Sequence, residues 1–163
     1  IGLAIHGILP PNTGGPALRP ILSLRARIAR IVDVAPGEGA SYGLTWRASQ
    51  PASLALIPVG YADGWRRGLG NAGHVLIAGQ PCPMAGRVCM DQFLADVTAV
   101  SPAPAEGDVA TLLGSDGPAS ISAAEVAARA DTIAWDIIAS LQGRLPRLYH
   151  RAGAIEHISP PMW

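Results

Sequence analysis

Three short stretches of this 163-residue chain carry side chains that could do chemistry together. They are residues 41–43 (Ser-Tyr-Gly), 60–64 (Gly-Tyr-Ala-Asp-Gly) and 86–91 (Gly-Arg-Val-Cys-Met-Asp). Tyr42 is the candidate catalytic residue, because small neighbours on both sides leave its phenol free to project and to exchange a proton. Taken singly, each stretch is equally typical of a strand end or a tight turn. The case for a site depends on their occurrence together.

Strand-period alternation surrounds these stretches and predicts the elements that position them. The predicted strands are 21–34 with a bend or bulge near Arg30, 40–48, 53–59 as a central strand, 74–78, 87–97 and 109–113. Tyr42 would lie just past a turn at 36–39, at the start of the second strand. Glycines at both ends and in the middle of 61–71 predict a structured loop, and residues 79–81 predict a turn.

Helical periodicity appears only late in the chain. Ser122 with Glu125 three residues on predicts a capped helix over 123–130, and Asp131 or Thr132 is expected to cap a second helix through Leu141. A last strand is predicted at 148–150. The fold class is therefore mainly β (α+β), a closed or nearly closed Greek-key-like β-barrel domain with a late helical pair. Residues 1–20 read as a connector and 21–163 as the domain.

Composition excludes several classes of protein. A chain with 49% hydrophobic and 15% charged residues and net charge +0 is expected to fold. Its scattered arginines predict no nucleic-acid partner, and no apolar run reaches the roughly 20 residues that span a bilayer. Two cysteines without metal-type spacing suggest reduced thiols in a cytoplasmic protein. The four histidines also lack metal-ligand spacing, so no metal is expected.

In this order and at these spacings, the three stretches resemble the C-terminal domain of bacterial alanine racemase. The resemblance runs from Gly2 to Arg147. It implies an N-terminal (β/α)8 barrel that carries pyridoxal phosphate on a lysine, followed by a mostly β domain, and this sequence is similar only to the second part. The chain contains no lysine, so it cannot itself anchor that cofactor through one. The first residue, Ile1, suggests that the chain begins partway through a longer protein.

The family reaction, as the resemblance implies it, moves the α-proton of alanine between two faces and needs a base on each. A lysine of the barrel serves one face, and the tyrosine that matches Tyr42 serves the other, in the active site of the partner subunit of a homodimer. A free phenol has a pKa of about 10, so a tyrosine base near neutral pH needs help from its surroundings. Without the barrel, the isolated chain is expected to be inactive. The product, D-alanine, is a peptidoglycan precursor.

The resemblance also assigns smaller roles. Tyr61 matches a residue of the substrate entrance, and the backbone amide of Met90 would face the substrate carboxylate. Arg67, Arg87 and Ile133 match the entry corridor, where positive charge would attract a carboxylate. The backbone N–H groups of Gly2 and Leu3 would bind the cofactor phosphate. The remaining cofactor position is Trp135, which stands where the family usually has a tyrosine that bonds the phosphate and narrows the entrance.

Two alternatives stay open at the level of the sequence. Trp135 differs from tyrosine in volume and reach, so a serine or broad-specificity amino-acid racemase is one of them. The other is a β-barrel dimerisation module that has lost catalysis, which the absence of a lysine-bearing barrel upstream would favour. The expected partners of the leading hypothesis are that barrel domain, a second subunit and a small amino acid.

Overall fold

The computed structural model of the chain describes residues 2–9 and 14–162. Its twelve strands and two helices are β1 (Leu24–Arg27), β2 (Arg30–Val34), β3 (Gly39–Ala40), β4 (Trp46–Arg47), β5 (Ala52–Ile57), β6 (His74–Ile77), β7 (Gln80–Pro83), β8 (Phe93–Asp96), β9 (Val109–Asp116), β10 (Ala119–Ile121), α1 (Ala123–Arg129), α2 (Ala134–Ser140), β11 (Arg147–Arg151) and β12 (Ala154–Ser159). Short 3₁₀ turns span Gly2–His6, Tyr42–Leu44, Tyr61–Asp63 and Arg67–Leu69. Residues 14–20 carry no helix or strand, whereas Ile1, residues 10–13 and Trp163 lie outside the described residues.

The strands form two main antiparallel sheets. One has the order β1-β9-β6-β7 with β10 also paired to β9, and the other has the order β2-β5-β8. β5 is central, as its apolar sequence predicts, and Leu54, Ala55 and Ile57 are buried there. The two remaining pairs, β3-β4 and β11-β12, are separate hairpins. The described residues therefore form a mainly β domain with two late helices, as expected.

The two main sheets meet along one bent segment. The amide of Ile28 donates to Asp108 O (2.8 Å), beside β9, whereas that of Ala29 donates to Leu56 O (2.9 Å) in β5. Residues 24–34 thus pass from one sheet to the other, and the bend predicted near Arg30 lies slightly earlier. A single bridge between Met84 and Ala95 joins the opposite edges. Among the described residues the ladder is not continuous around a ring, so closure of the barrel is not confirmed.

Two predicted strands are only partly right, because a turn or a loop interrupts each of them. Residues 40–48 contain the Tyr42–Leu44 turn between β3 and β4, because Ser41, Gly43 and Leu44 all have positive φ. Residues 87–92 are a loop and only Phe93–Asp96 is strand. The turn predicted at 79–81 lies instead at Ala78 and Gly79, whose positive φ values are typical of a two-residue hairpin turn.

The two helices begin in different ways, and only α1 has a side-chain cap. Ser122 Oγ accepts the backbone N–H of Glu125 (3.1 Å), which confirms the predicted cap of α1. The predicted cap of α2 is wrong, because the cap residue is Ile133 and the Thr132 hydroxyl donates to Asp136 Oδ2 (2.9 Å) instead. In the described part of the chain, neither helix has the length and apolar character needed to cross a membrane.

The main core lies between the sheets and under the loop at 61–71. Trp65 of this loop is 1% exposed and stacks on Phe93, with 6.5 Å between ring centroids. Leu69, in the second 3₁₀ turn, is equally buried. These two apolar anchors fix the loop on the core, so the prediction of a structured loop is confirmed. The loop can therefore hold Tyr61 and Arg67 in defined places.

Candidate active site

Tyr42 lies on a strained turn at the surface. Its side chain is 74% exposed. Ser41 before it has φ 65° and ψ 176°, a conformation adopted almost only by glycine, and Leu44 after it has φ 45°. Each such non-glycine residue costs about 1–3 kcal/mol and persists only where the surroundings impose it. Strain of this kind clusters at functional sites.

Two hydrogen-bonded anchors impose the turn. The Ser41 hydroxyl donates to Arg87 O (2.8 Å), and Gly86 packs against the same serine. A Cβ added to Gly86 would lie 2.6 Å from Ser41 Cβ, and the φ of Gly86 is +82°, so only glycine fits there. The segment 86–91 therefore supports the Tyr42 turn directly. This contact brings together two of the three stretches selected from the sequence.

Asn71 forms the second anchor, which the sequence analysis missed. Its Nδ2 donates to Thr45 O (3.3 Å) and Oγ1 (3.1 Å), while its Oδ1 accepts the N–H of Gly86 (2.6 Å). It thus ties the end of the Tyr42 turn to the start of segment 86–91. Asparagine tolerates the φ of 58° found there better than most residues. The only feature of the sequence that could have indicated this role is an asparagine at the end of a glycine-rich loop.

Tyr42 and Met90 line one groove of about 620 Å³, together with Ser41, Cys89 and Asp91. The Met90 side chain is 54% exposed. Cys89 is half-buried, and its Sγ lies 3.7 Å from Ser41 Oγ. The structure therefore brings the candidate base and the candidate carboxylate-binding amide to the same place.

Tyr61 is attached to the Met90 segment through its backbone. The N–H groups of Tyr61 and Ala62 donate to Cys89 O (3.0 Å) and Met90 O (2.9 Å). A Cβ added to Gly60 would lie 2.2 Å from Met90 O, so the close approach requires glycine. The Tyr61 ring itself is 44% exposed. The second and third stretches are thus in direct contact.

A charged cluster that the sequence analysis did not foresee joins these two stretches to the segment after α2. Asp63 is 4% exposed, and its Oδ2 accepts the N–H of Gly60 (2.7 Å). Arg144 donates from Nε to Asp63 Oδ1 (2.9 Å) and from Nη2 to Asp91 Oδ1 (2.8 Å). The three residues are far apart in the chain, so no local pattern predicts the cluster. Both carboxylates belong to segments that carry candidate site residues.

Arg67 and Arg87 line a second groove of about 350 Å³, beside Thr45 and Asn71. Arg87 is half-buried, and a Cβ added to Gly43 would lie 3.6 Å from its Nε, so it lies against the Tyr42 turn. No carboxylate of a described residue is within ion-pair distance of either guanidinium. Positive charge therefore flanks the tyrosine, as an anion entrance requires.

The other predicted positions do not line either groove. Ile133 is 61% exposed just before α2, and Trp135 is half-buried in the first turn of that helix. Arg66, of the loop at 61–71, pairs with Asp136 and so ties the first turn of α2 to that loop. Gly2 is exposed at the start of the Gly2–His6 turn, with no atom within 4 Å of an added Cβ, and the backbone of Leu3 belongs to the same turn.

The pKa values that depart from their usual range belong to residues outside the grooves. Burial raises the pKa of Cys82 to about 11, with a smaller contribution from Asp96. Burial, helped by the charge of Arg129, lowers the pKa of His74, which Glu125 partly opposes. Neither group contacts the Tyr42 turn. These two pKa shifts therefore reflect burial in the core and charges near α1, and they have no part in the candidate chemistry.

Comparison with known proteins places this chain in one family. The family described as alanine racemase, C-terminal domain, matches residues 21–149. The alanine racemases of Halothermothrix orenii and Mycobacterium tuberculosis are each 41% identical to the chain, over 91% and 93% of its length. The chain spans 39% and 40% of these two proteins, so it corresponds to less than half of each.

Solved structures agree with the sequence comparison. The crystal structure of alanine racemase from Bacillus anthracis with bound L-Ala-P superposes with a TM-score of 0.89 at 36% identity, over 98% of this chain and 41% of that one. Alanine racemase from a D-cycloserine-producing Streptomyces lavendulae gives 0.84 at 40% identity, over 93% and 40%. The Tyr42 turn, its anchors and the adjoining grooves thus sit in a chain that belongs to the alanine racemase C-terminal domain family.

Proposed function

We propose that this chain is the C-terminal domain of a pyridoxal-phosphate-dependent alanine racemase, in which Tyr42 is one of two proton-transfer groups. The other group, the lysine that holds the cofactor and the N-terminal barrel would come from the rest of the protein. The chain contains no lysine, and it spans about 40% of its relatives. The division into a connector at 1–20 and a domain from residue 21 belongs to the same proposal.

The observation that carries the proposal is the anchored, strained and exposed Tyr42 turn. A tyrosine kept for stability would bury its ring, whereas this one is 74% exposed and no described residue hydrogen-bonds its phenol. The strain at Ser41 and Leu44 is maintained by contacts to Arg87 and Asn71. An orientation that costs energy and presents a phenol to solvent is suited to proton transfer on a ligand held by another surface.

Pyridoxal phosphate, when bound, supplies the electron sink that makes the α-proton of an amino acid acidic. Two features of this chain fit the phosphate of such a group. The Gly2–His6 turn presents exposed backbone at Gly2, and an exposed backbone N–H suits a phosphate oxygen. Trp135 offers an indole N–H in the first turn of α2. Gly2, Leu3 and Trp135 are the residues proposed to hold the phosphate.

The substrate carboxylate would be bound next to Tyr42. In this proposal the backbone N–H of Met90 donates to it, and Arg67 and Arg87 attract it into the site. The shared groove of Tyr42 and Met90 supports this role, as do the two guanidinium groups beside the turn. With the carboxylate fixed, the α-carbon is held in one orientation relative to the phenol. Tyr42 then removes or returns the proton on a single face.

The exposure of Tyr42 also supports its assignment to the active site of a partner subunit in a homodimer. Four apolar or aromatic residues of the proposed site are exposed, namely Tyr42, Tyr61, Met90 and Ile133. Such a set of exposed apolar and aromatic side chains is typical of a surface that another domain or subunit covers. The barrel domain of the same protein and a second subunit are the proposed partners.

A test uses the full-length protein loaded with pyridoxal phosphate. Tyr42→Phe should lower kcat for alanine racemisation at least about a hundredfold, the usual range for loss of a general acid–base group. Tyr149→Phe is the matched control, because Tyr149 on β11 is also exposed, at 49%, and lines neither groove. Equal activity of the two variants would refute the role of Tyr42. If the native protein shows no racemase activity, the result would favour the alternative of a β-barrel dimerisation module that has lost catalysis.

Trp135 and Ile133 favour testing a second substrate. Both lie at the start of α2, and the larger indole would change the size limit of the entrance. If Trp135 sets that limit, Trp135→Tyr should change the ratio of kcat/KM for serine to that for alanine. An unchanged ratio would assign specificity to residues other than Trp135, and a native ratio above one would favour the serine or broad-specificity racemase.

A further inference from the structure

Arg144 links three segments that meet behind the Tyr42–Met90 groove. The first is the loop after β5, which carries Tyr61 and Asp63, and the second is the loop before β8, which carries Met90 and Asp91. The third is the segment after α2, where Arg144 itself lies. One guanidinium contacts a carboxylate of each loop, at 2.9 Å and 2.8 Å. No other described arginine contacts two carboxylates of different segments.

The two arms of this contact differ in burial. The Asp63 side chain is 6% exposed, so its charge is shielded from water and is balanced by Arg144 and by the N–H of Gly60. The Asp91 side chain is 55% exposed, and a pair in that setting contributes little to stability. The Arg144–Asp91 pair therefore adds little stability. Because it joins Asp91, the neighbour of Met90, to the buried carboxylate of Asp63, its main effect is on the position of the Met90 loop.

Backbone contacts would transmit that effect to the site. Tyr61 and Ala62 donate to Cys89 O and Met90 O, so the two loops move together. The carbonyl of Asp63 accepts the N–H of Gln142 (3.0 Å), which attaches the pair to the segment after α2. The strand ladder does not include residues 87–92. Arg144 is therefore the charged contact that fixes the second loop against the first.

We infer that Arg144 is a positioning residue that sets the orientation of the Met90 backbone amide toward the substrate carboxylate. This inference rests on the proposed function. Arg144 does not touch the Tyr42 turn, so it acts on binding of the carboxylate and not on proton transfer at the phenol. Its loss should weaken alanine binding equally for both enantiomers, because both present the same carboxylate to the same amide.

The experiment compares variants of the full-length protein loaded with pyridoxal phosphate. Arg144→Gln should raise KM for D- and L-alanine about tenfold each, the loss expected for one charge-assisted contact, with kcat changed less than about threefold. Arg144→Lys should recover part of the lost binding, because lysine keeps the positive charge but lacks the forked guanidinium that contacts both carboxylates. The control is Arg151→Gln, which removes an exposed pair to Glu156 on the β11–β12 hairpin and should leave both constants unchanged.

A purely structural role predicts a different pattern. Under it, Arg144→Gln would lower the yield of folded protein and leave KM at the value of the Arg151→Gln control, and that result would overturn the inference. If Arg144→Gln does not fold, Asp91→Asn takes its place, because it retains the Asp63 arm. A rise of KM in Asp91→Asn supports the inference, and an unchanged KM refutes it.

The exchange of the α-proton with solvent separates this inference from the proposed function. Arg144→Gln should leave the ratio of exchange from the two enantiomers unchanged, whereas Tyr42→Phe should alter it. A changed ratio in Arg144→Gln would contradict a role confined to the carboxylate. Absence of racemisation by the native protein would overturn the proposed function, and this inference with it. Native racemisation with an unchanged KM in the variant would overturn the inference alone.

Discussion

Ser41 provides a sharp test of the strain in the Tyr42 turn. Its φ of 65° and ψ of 176° cost a residue with a Cβ about 1–3 kcal/mol, and its hydroxyl bond to Arg87 O returns about 0.5–1.5 kcal/mol. Ser41→Ala loses the bond and keeps the strain. Ser41→Gly loses the bond but removes the strain, at a cost of about 0.5–1 kcal/mol in the entropy of the unfolded chain.

The free energy of unfolding should therefore be higher for Ser41→Gly than for Ser41→Ala, by about 1–2 kcal/mol. Glycine is normally the less stable of the two residues in regular structure, so the expected order is reversed. Urea-induced unfolding, followed by circular dichroism at matched protein concentration, measures the difference. Alanine as stable as glycine at this position would refute the strained backbone, and with it the argument that the turn is held for function.

The same pair of variants separates stability from activity. In the full-length enzyme, Ser41→Gly should be as stable as the native protein or nearly so, yet less active, because the tie from the Tyr42 turn to segment 86–91 is gone. A fall in kcat of about tenfold is expected from misplacement of the phenol. Full activity in Ser41→Gly would mean that the hydroxyl bond has no part in positioning Tyr42.

Three further predictions concern the surrounding structure. Gly60→Ala should destabilise the fold by about 3 kcal/mol, because its Cβ would lie 2.2 Å from Met90 O; urea unfolding measures this, and a loss below about 1 kcal/mol would contradict the close approach. Iodoacetamide at pH 8 should modify Cys89 before Cys82, which is fully buried and has a pKa of about 11; mass spectrometry of peptides gives the order, and the reverse order would contradict it. The lowered pKa of His74 means that the unfolded chain binds the proton more readily, so its contribution to stability is complete above about pH 6.5 and is lost as the pH falls; unfolding at pH 5 and 7 should show a smaller pH dependence for His74→Asn.

Local pattern was sufficient to predict several regular elements of the fold. The sequence of β5 is almost wholly apolar, which predicts a central strand, and β5 pairs with β2 on one side and β8 on the other. Ser122 caps α1 by accepting the N–H of Glu125, as predicted. The bend between β1 and β2 was located within about two residues. In each case neighbouring residues in the chain determine the structure through periodicity or a short-range hydrogen bond.

The Tyr42 turn could not be predicted, because distant contacts determine it. Residues 40–48 have strand-like character, yet Ser41 and Leu44 adopt positive φ where Arg87 and Asn71 hold the turn. The Arg144 cluster joins residues 63, 91 and 144, which no window of sequence contains. Resemblance selected the candidate residues, and the fold then brought Tyr42, Met90, Arg87 and Tyr61 together. The roles of these residues remain proposals.

The central claim is that Tyr42 serves one face of the substrate. The most direct measurement follows exchange of the α-proton with deuterium from solvent, starting from D- and from L-alanine, in the full-length protein and in Tyr42→Phe. Loss of racemisation with exchange retained from only one enantiomer is the predicted result, because the second proton-transfer group is intact. Racemisation and exchange from both enantiomers at native rates would contradict the account and leave Tyr42 with a structural role only.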